Sequence, residues 1–133
     1  ISFADPIHLH SKKLFFQKIL VVDDDSLVCR ATTRYLREYS EQILTSSNCE
    51  EAINILQAEK IDLLISDINL GNNTIEMILD YLLKESLKIP IVLISGEANQ
   101  QIIEKCKDHF DSIFLQKPIS RSSMVAGLSS IVQ

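Results

Sequence analysis

Five short, largely aliphatic runs, spaced by segments of helical length, constrain this chain most: Lys18–Val22, Ile43–Ser46, Asp62–Ser66, Ile91–Ile94 and Ser112–Gln116. Continuous apolar runs of this length are expected of parallel strands covered on both faces. The weaker, more polar second run belongs nearer a sheet edge. Four runs end in polar residues: Asp23-Asp24, Asp67, Ser95 and Lys117. In an open parallel sheet the C-terminal strand ends converge on one crevice, so these residues would meet there as carboxylates, a hydroxyl and an ammonium.

The intervening segments read as helices. Val28, Ala31, Thr32, Tyr35, Leu36 and Tyr39 recur at helical spacing, with Arg30, Arg34, Arg37 and Glu38 on the other side and Asp25 or Ser26 as N-cap. Further helices are predicted over Cys49–Ala58, about Thr74–Ser86, about Asn99–His109 and Ser120–Val132. Pro90 opens the fourth strand, where its missing N–H is tolerated, and Asn69–Asn73 has the Asn and Gly content of a turn. Repeated βα units with right-handed crossovers give a doubly wound, parallel five-stranded sheet in a three-layer α/β/α sandwich.

A length of 133 residues with 46% hydrophobic content suits one domain. We expect it over residues 18–133, with residues 1–17 a linker or N-terminal tail. His8 and His10 would face the same way on an extended segment, but no acidic or Cys partner lies nearby to complete a metal site. A first residue of Ile1 rather than Met leads us to expect a piece of something longer. No run approaches the roughly 20 apolar residues of a membrane span, and no leader pattern is present, so the expected location is cytoplasmic, without membrane contact. A net charge of -5 with no basic patch argues against direct nucleic-acid binding. Cys29, Cys49 and Cys106 are scattered and unpaired in pattern, as reduced, packed thiols.

A single Asp at a strand end is ordinarily a cap or turn residue. Four polar positions at four strand ends are harder to ascribe to turns. Three carboxylates in one crevice repel each other, and a cation or Lys117 must neutralise them. Magnesium takes oxygen ligands in near-octahedral geometry, commonly one or two carboxylates completed by water and phosphate, and Asp24 and Asp67 can supply that pair. With the charge balanced, one carboxylate becomes a nucleophile toward phosphorus, while Lys117 and Ser95 hold phosphoryl oxygens.

Ile19–Asp25, Asp62–Asp67, Pro90–Gly96 and Phe114–Pro118 resemble the receiver domain of two-component response regulators, over about residues 18–132. The resemblance implies the flavodoxin-like (βα)5 fold with strand order 2-1-3-4-5. It implies that Asp67 is the phosphoacceptor for a histidine kinase or histidine phosphotransfer protein. The metal, Mg2+ or Mn2+, would be held by Asp23 through water, by Asp24 and Asp67 directly, and by the backbone carbonyl of Asn69. Ser95 would be the switch hydroxyl, Gly96 the small residue leaving access to the phosphoryl group, and Phe114 the switch aromatic. Lys117 would bind the phosphoryl group, aimed by a cis peptide before Pro118. Phosphorylation would be transmitted to the surface formed by the last two helices and the strand between them, about residues 99–132, which is also the expected homodimer face.

Asn69 and Glu97, two residues beyond Asp67 and Ser95, occupy positions that tune self-dephosphorylation, and this pair implies a short-lived phosphoryl state. Two departures stand out. The loop Asn69-Leu70-Gly71-Asn72-Asn73-Thr74 lacks the family's usual Pro and the Gly ahead of the following helix, and Phe110-Asp111 replaces a common small Gly-Ala pair. By this reading the chain is a signalling domain with self-catalysed phosphotransfer and dephosphorylation, not an enzyme in its own right. It would come from a stand-alone regulator, a longer regulator or, our preference, the C-terminal receiver of a hybrid histidine kinase. Two alternatives remain. A haloacid-dehalogenase-like phosphatase would use Asp23-x-Asp25, but its further acidic motif after Lys117 is missing. A phosphorylation-independent, receiver-like interaction module would not need every chemical position filled.

Overall fold

The computed structural model describes residues 15–131. Strand β1 (Phe16–Val22) leads to α1 (Ser26–Leu36), a 3-10 turn (Arg37–Tyr39), β2 (Ser40–Ser46) and α2 (Cys49–Ala58). Strand β3 (Leu63–Asp67) is followed by a small ribbon pairing Asn69–Leu70 with Asn73–Thr74, then α3 (Glu76–Lys84). The chain finishes with β4 (Ile91–Ser95), α4 (Gln100–His109), β5 (Ser112–Gln116) and α5 (Arg121–Ile131). The five long strands are all parallel, in the order β2-β1-β3-β4-β5.

Side chains alternate across each strand, so the sheet carries two cores. Leu20, Val22, Leu64, Ile91 and Leu93 pack with Ala52 and Leu56 of α2, Ile78, Leu79 and Leu82 of α3, and Ile102 and Cys106 of α4. Ile19, Val21, Leu63, Ile65, Val92 and Ile94 pack on the other face with Leu36 of α1 and Met124 and Leu128 of α5. Right-handed crossovers produce this division: the chain moves outward from β1 to β2, then reverses to β3 and onward to β5, which moves the helices to the opposite face. Every residue of β3 and β4 is buried, whereas β2 carries exposed residues at its edge, as its polarity predicts.

Element ends differ from expectation where long-range pairing decides them. β1 starts at Phe16, which pairs with Ser40 and is buried, so residues 16–17 belong to the sheet rather than to the tail. The first helix ends at Leu36 instead of reaching Tyr39, because the backbone tightens into the 3-10 turn and Ser40 already enters β2. The loop predicted over Asn69–Asn73 pairs with itself and takes Thr74 from the start of α3. Phe110, the large residue in place of a small one, is accommodated in the core at the end of α4. His8, His10 and Val132 lie outside the described residues.

Candidate functional site

The parallel register brings the strand ends level. Val22 pairs with Ser66, Asp67 with Ile94, and Ser95 with Gln116, so Asp23, Asp67, Ser95 and Lys117 emerge side by side at one edge. Asp23, Asp67 and Ser95 are buried, while Asp24 is exposed. Asp25 is the helix cap, its carboxylate accepting from the Leu27 and Val28 amides at 3.0 and 3.3 Å. That leaves Asp23 and Asp24 free for the crevice.

Oxygens of Asp23, Asp24 and Asp67 lie within 4.8 Å of one another. Lys117 reaches them from β5, its Nζ 2.6 Å from Asp67 Oδ2 and 3.3 Å from Asp23 Oδ2. Its own amide donates to the Ser95 carbonyl at 2.8 Å, and the peptide to Pro118 is cis. Burial pushes the Asp23 carboxyl up from its ordinary range and the nearby Asp67 charge adds to this, against the Asp25 amide and Lys117, which favour the charged form. For Lys117 burial disfavours the ammonium, but its hydrogen bond to Asp67 and the two negative charges prevail and hold its pKa above the ordinary value.

The cluster is incompletely neutralised: three carboxylates face one ammonium. Asp23 Oδ2 is buried without a hydrogen bond, the Lys117 ammonium lying at ion-pair distance but not aligned to donate. Hard oxygen donors, surplus negative charge and an orphaned oxygen are what a divalent cation such as magnesium would satisfy.

The other predicted residues surround this centre at different ranges. Ser95 Oγ accepts from the Glu97 amide at 3.4 Å. Beyond the Gly96 Cα there is open space where a Cβ would point. Phe114 is half-buried against the core beneath α2–α4, opposite Leu93 in the strand register. The Asn69 amide donates to Asp67 Oδ1 at 3.2 Å, and Asn69 and Glu97 line one exposed depression at the start of α4. One participant was missed from sequence. The Gly71 amide, at the tip of the ribbon, donates to Asp24 Oδ2 at 3.1 Å. Gly-Asn between two short segments is a hairpin signal that would have revealed the turn, though not its partner.

The family model for the response regulator receiver domain matches residues 19–129. Among curated proteins, the cell cycle response regulator CtrA of Brucella ovis is 23% identical over 116 residues, 87% of this chain and 50% of that protein. The chain thus spans about half the length of the curated relatives it matches. A CheY-like receiver domain protein from Methanospirillum hungatei superposes with a TM-score of 0.77 at 18% identity, covering 87% of this chain and 93% of that one. The chemotaxis protein CheY4 of Vibrio cholerae gives a TM-score of 0.75 at 21% identity, with 86% and 98% covered. The receiver domain of the hybrid histidine kinase CckA gives 0.69 at 26% identity, with 87% and 99% covered. Receiver domains are signalling domains that bind Mg2+ at an acidic pocket and interact with histidine kinases or phosphotransfer proteins. With its flavodoxin-like strand order and the family match over residues 19–129, this chain belongs to the response regulator receiver domain family.

Proposed function

We propose that Asp67 is the phosphoacceptor of this receiver domain, and that Asp23, Asp24, Asp67 and the Asn69 carbonyl hold a divalent cation, Mg2+ or Mn2+. The observation that carries the reading is the Lys117 ammonium 2.6 Å from Asp67 Oδ2 inside a carboxylate cluster that retains a buried oxygen without a hydrogen bond. Bound there, the cation would offset the negative charge that otherwise repels an incoming phosphoryl group. An Asp67 oxygen attacks phosphorus, the bond from phosphorus to the donor histidine nitrogen breaks, and the imidazole leaves with the electron pair. Lys117 and Ser95 then hold phosphoryl oxygens of the resulting acyl phosphate. Hydrolysis by water returns Asp67 and inorganic phosphate, with Asn69 and Glu97 governing water access from their shared depression. Ser95 and Phe114 pass the change to the face of α4, β5 and α5, which also serves as the homodimer face.

The domain boundary belongs to the same proposal: the expected receiver of residues 18–133 is extended to Phe16 by strand pairing, with the residues before it as tail or linker. No helix among the described residues is long and apolar enough to cross a membrane, in keeping with a cytoplasmic setting. A hybrid histidine kinase remains our preferred parent.

Intact mass after incubation with acetyl phosphate and Mg2+ tests the proposal. One added phosphoryl group, lost with EDTA and in Asp67→Asn, is the expected result. Absence of an adduct together with no binding of the phosphoryl mimic beryllofluoride would favour the phosphorylation-independent module.

A further inference from the structure

Each carboxylate of the cluster has one oxygen on a backbone amide, but the amides come from different places. Asp23 Oδ1 takes the Asp25 amide at 2.9 Å and Asp67 Oδ1 takes the Asn69 amide at 3.2 Å, both two residues along the chain. Both carboxylates also face Lys117. Asp24 differs: it is exposed, it makes no ion pair among the described residues, and its one hydrogen bond is from Gly71, 47 residues away. An exposed carboxylate without that contact would rotate among solvated rotamers, at an entropic cost whenever a cation fixed it.

The ribbon that supplies this amide is built to hold still. Leu70 and Ile75 are buried in the core beneath α2 and α3, and the Ile75 amide donates to the Ile68 carbonyl at 2.8 Å, closing the loop at its base. Cys49 Sγ donates to the Thr74 carbonyl at 3.3 Å. Between the paired residues Leu70 and Asn73, only Gly71 has a positive φ, +69°, a conformation that favours glycine. That conformation aims the Gly71 N–H across to the end of β1.

We propose that Gly71 is a positioning residue for the cation: its amide holds Asp24 in the orientation that ligates, and cation binding in turn stabilises the ribbon against opening. The inference rests on the proposed metal site. By linkage the coupling is reciprocal, so whatever the ribbon contributes to cation affinity, the cation returns as ribbon stability. Outer contacts that orient metal ligands are typically worth about tenfold or more in affinity.

The test is Mg2+ titration by calorimetry on the wild type, Gly71→Ala and Gly71→Asn, with urea unfolding in EDTA and amide hydrogen exchange alongside. Alanine is strained at this φ, asparagine less so. Gly71→Ala should weaken Mg2+ binding about tenfold, Gly71→Asn should restore most of the affinity, and Mg2+ should slow exchange of the Gly71 amide. Asp24→Ala should speed exchange at Gly71 in the metal-free protein, which tests the contact even if Gly71→Ala does not fold. Equal Mg2+ affinity in wild type and Gly71→Ala, or Gly71 exchange indifferent to Asp24, would overturn the inference. No Mg2+ binding by the wild type would instead overturn the metal site itself.

Discussion

Asn69 and Glu97 are 28 positions apart in the chain yet line the same exposed depression, because β3 and β4 are adjacent and end level. Under the proposed function, water reaches Asp67 past these two side chains. Glu97→Leu and Asn69→Leu should therefore each lengthen the phosphoryl lifetime severalfold, measured as decay of the phosphorylated mass. A wild-type adduct as durable as that of either variant would refute the rate assignment. The thiols behave differently from one another for reasons of burial. Burial pushes Cys106 up to about 12 and raises Cys49; Cys29 is raised too, by burial and the Asp23 charge, but its side chain is only partly covered and so stays within reach of a reagent. A thiol reagent at mild pH should label Cys29 first and reach Cys49 and Cys106 only on unfolding.

The elements owe their ends to specific contacts. At the end of α3 the Leu87 amide donates to Leu82 and the Ser86 amide to Leu83, a closing pattern that places Ser86 at φ +56°. A left-handed conformation costs a residue with a Cβ about 1 kcal/mol, so Ser86→Gly should stabilise the domain by about 0.5–1 kcal/mol in urea unfolding. Helix α5 shows the opposite constraint. A Cβ on Gly127 would sit 2.5 Å from Ile113 Cδ1 and 3.4 Å from Leu115 Cδ1, so this glycine sets how closely α5 lies on β5. Gly127→Leu should lower stability by about 1–3 kcal/mol through overpacking, and Gly127→Ala should cost less because the Ile113 side-chain end can move.

For the whole molecule, the acidic crevice ties stability to its ligand. If the cation binds the folded state alone, Mg2+ at about 100 times its Kd should add about 2.7 kcal/mol, read as a rise in Tm that disappears in Asp24→Asn. Alkaline pH should act through Cys106. Its folded pKa of about 12 exceeds its ordinary 9.0, so between those values the folded state holds a proton the unfolded chain releases, and stability falls as pH rises. The fall should be shallower in Cys106→Val, since the lysine contributions remain.

The five strands, the two-faced burial and the convergence of Asp23, Asp24, Asp67, Ser95 and Lys117 were legible in the sequence, because aliphatic runs and their terminal polar residues are local signals. Strand order came from the family resemblance carried by those same residues. Other features depended on partners distant in the chain. Phe16 became part of β1 by pairing with Ser40, and Asp23 acquired an orphaned oxygen only through its angle to Lys117. Gly71 read as a turn residue, and only the fold carried its amide to Asp24. Periodicity and burial are written residue by residue, whereas a hydrogen bond needs two groups placed to within a fraction of an ångström, and for residues 47 apart only the packed sheet supplies that placement.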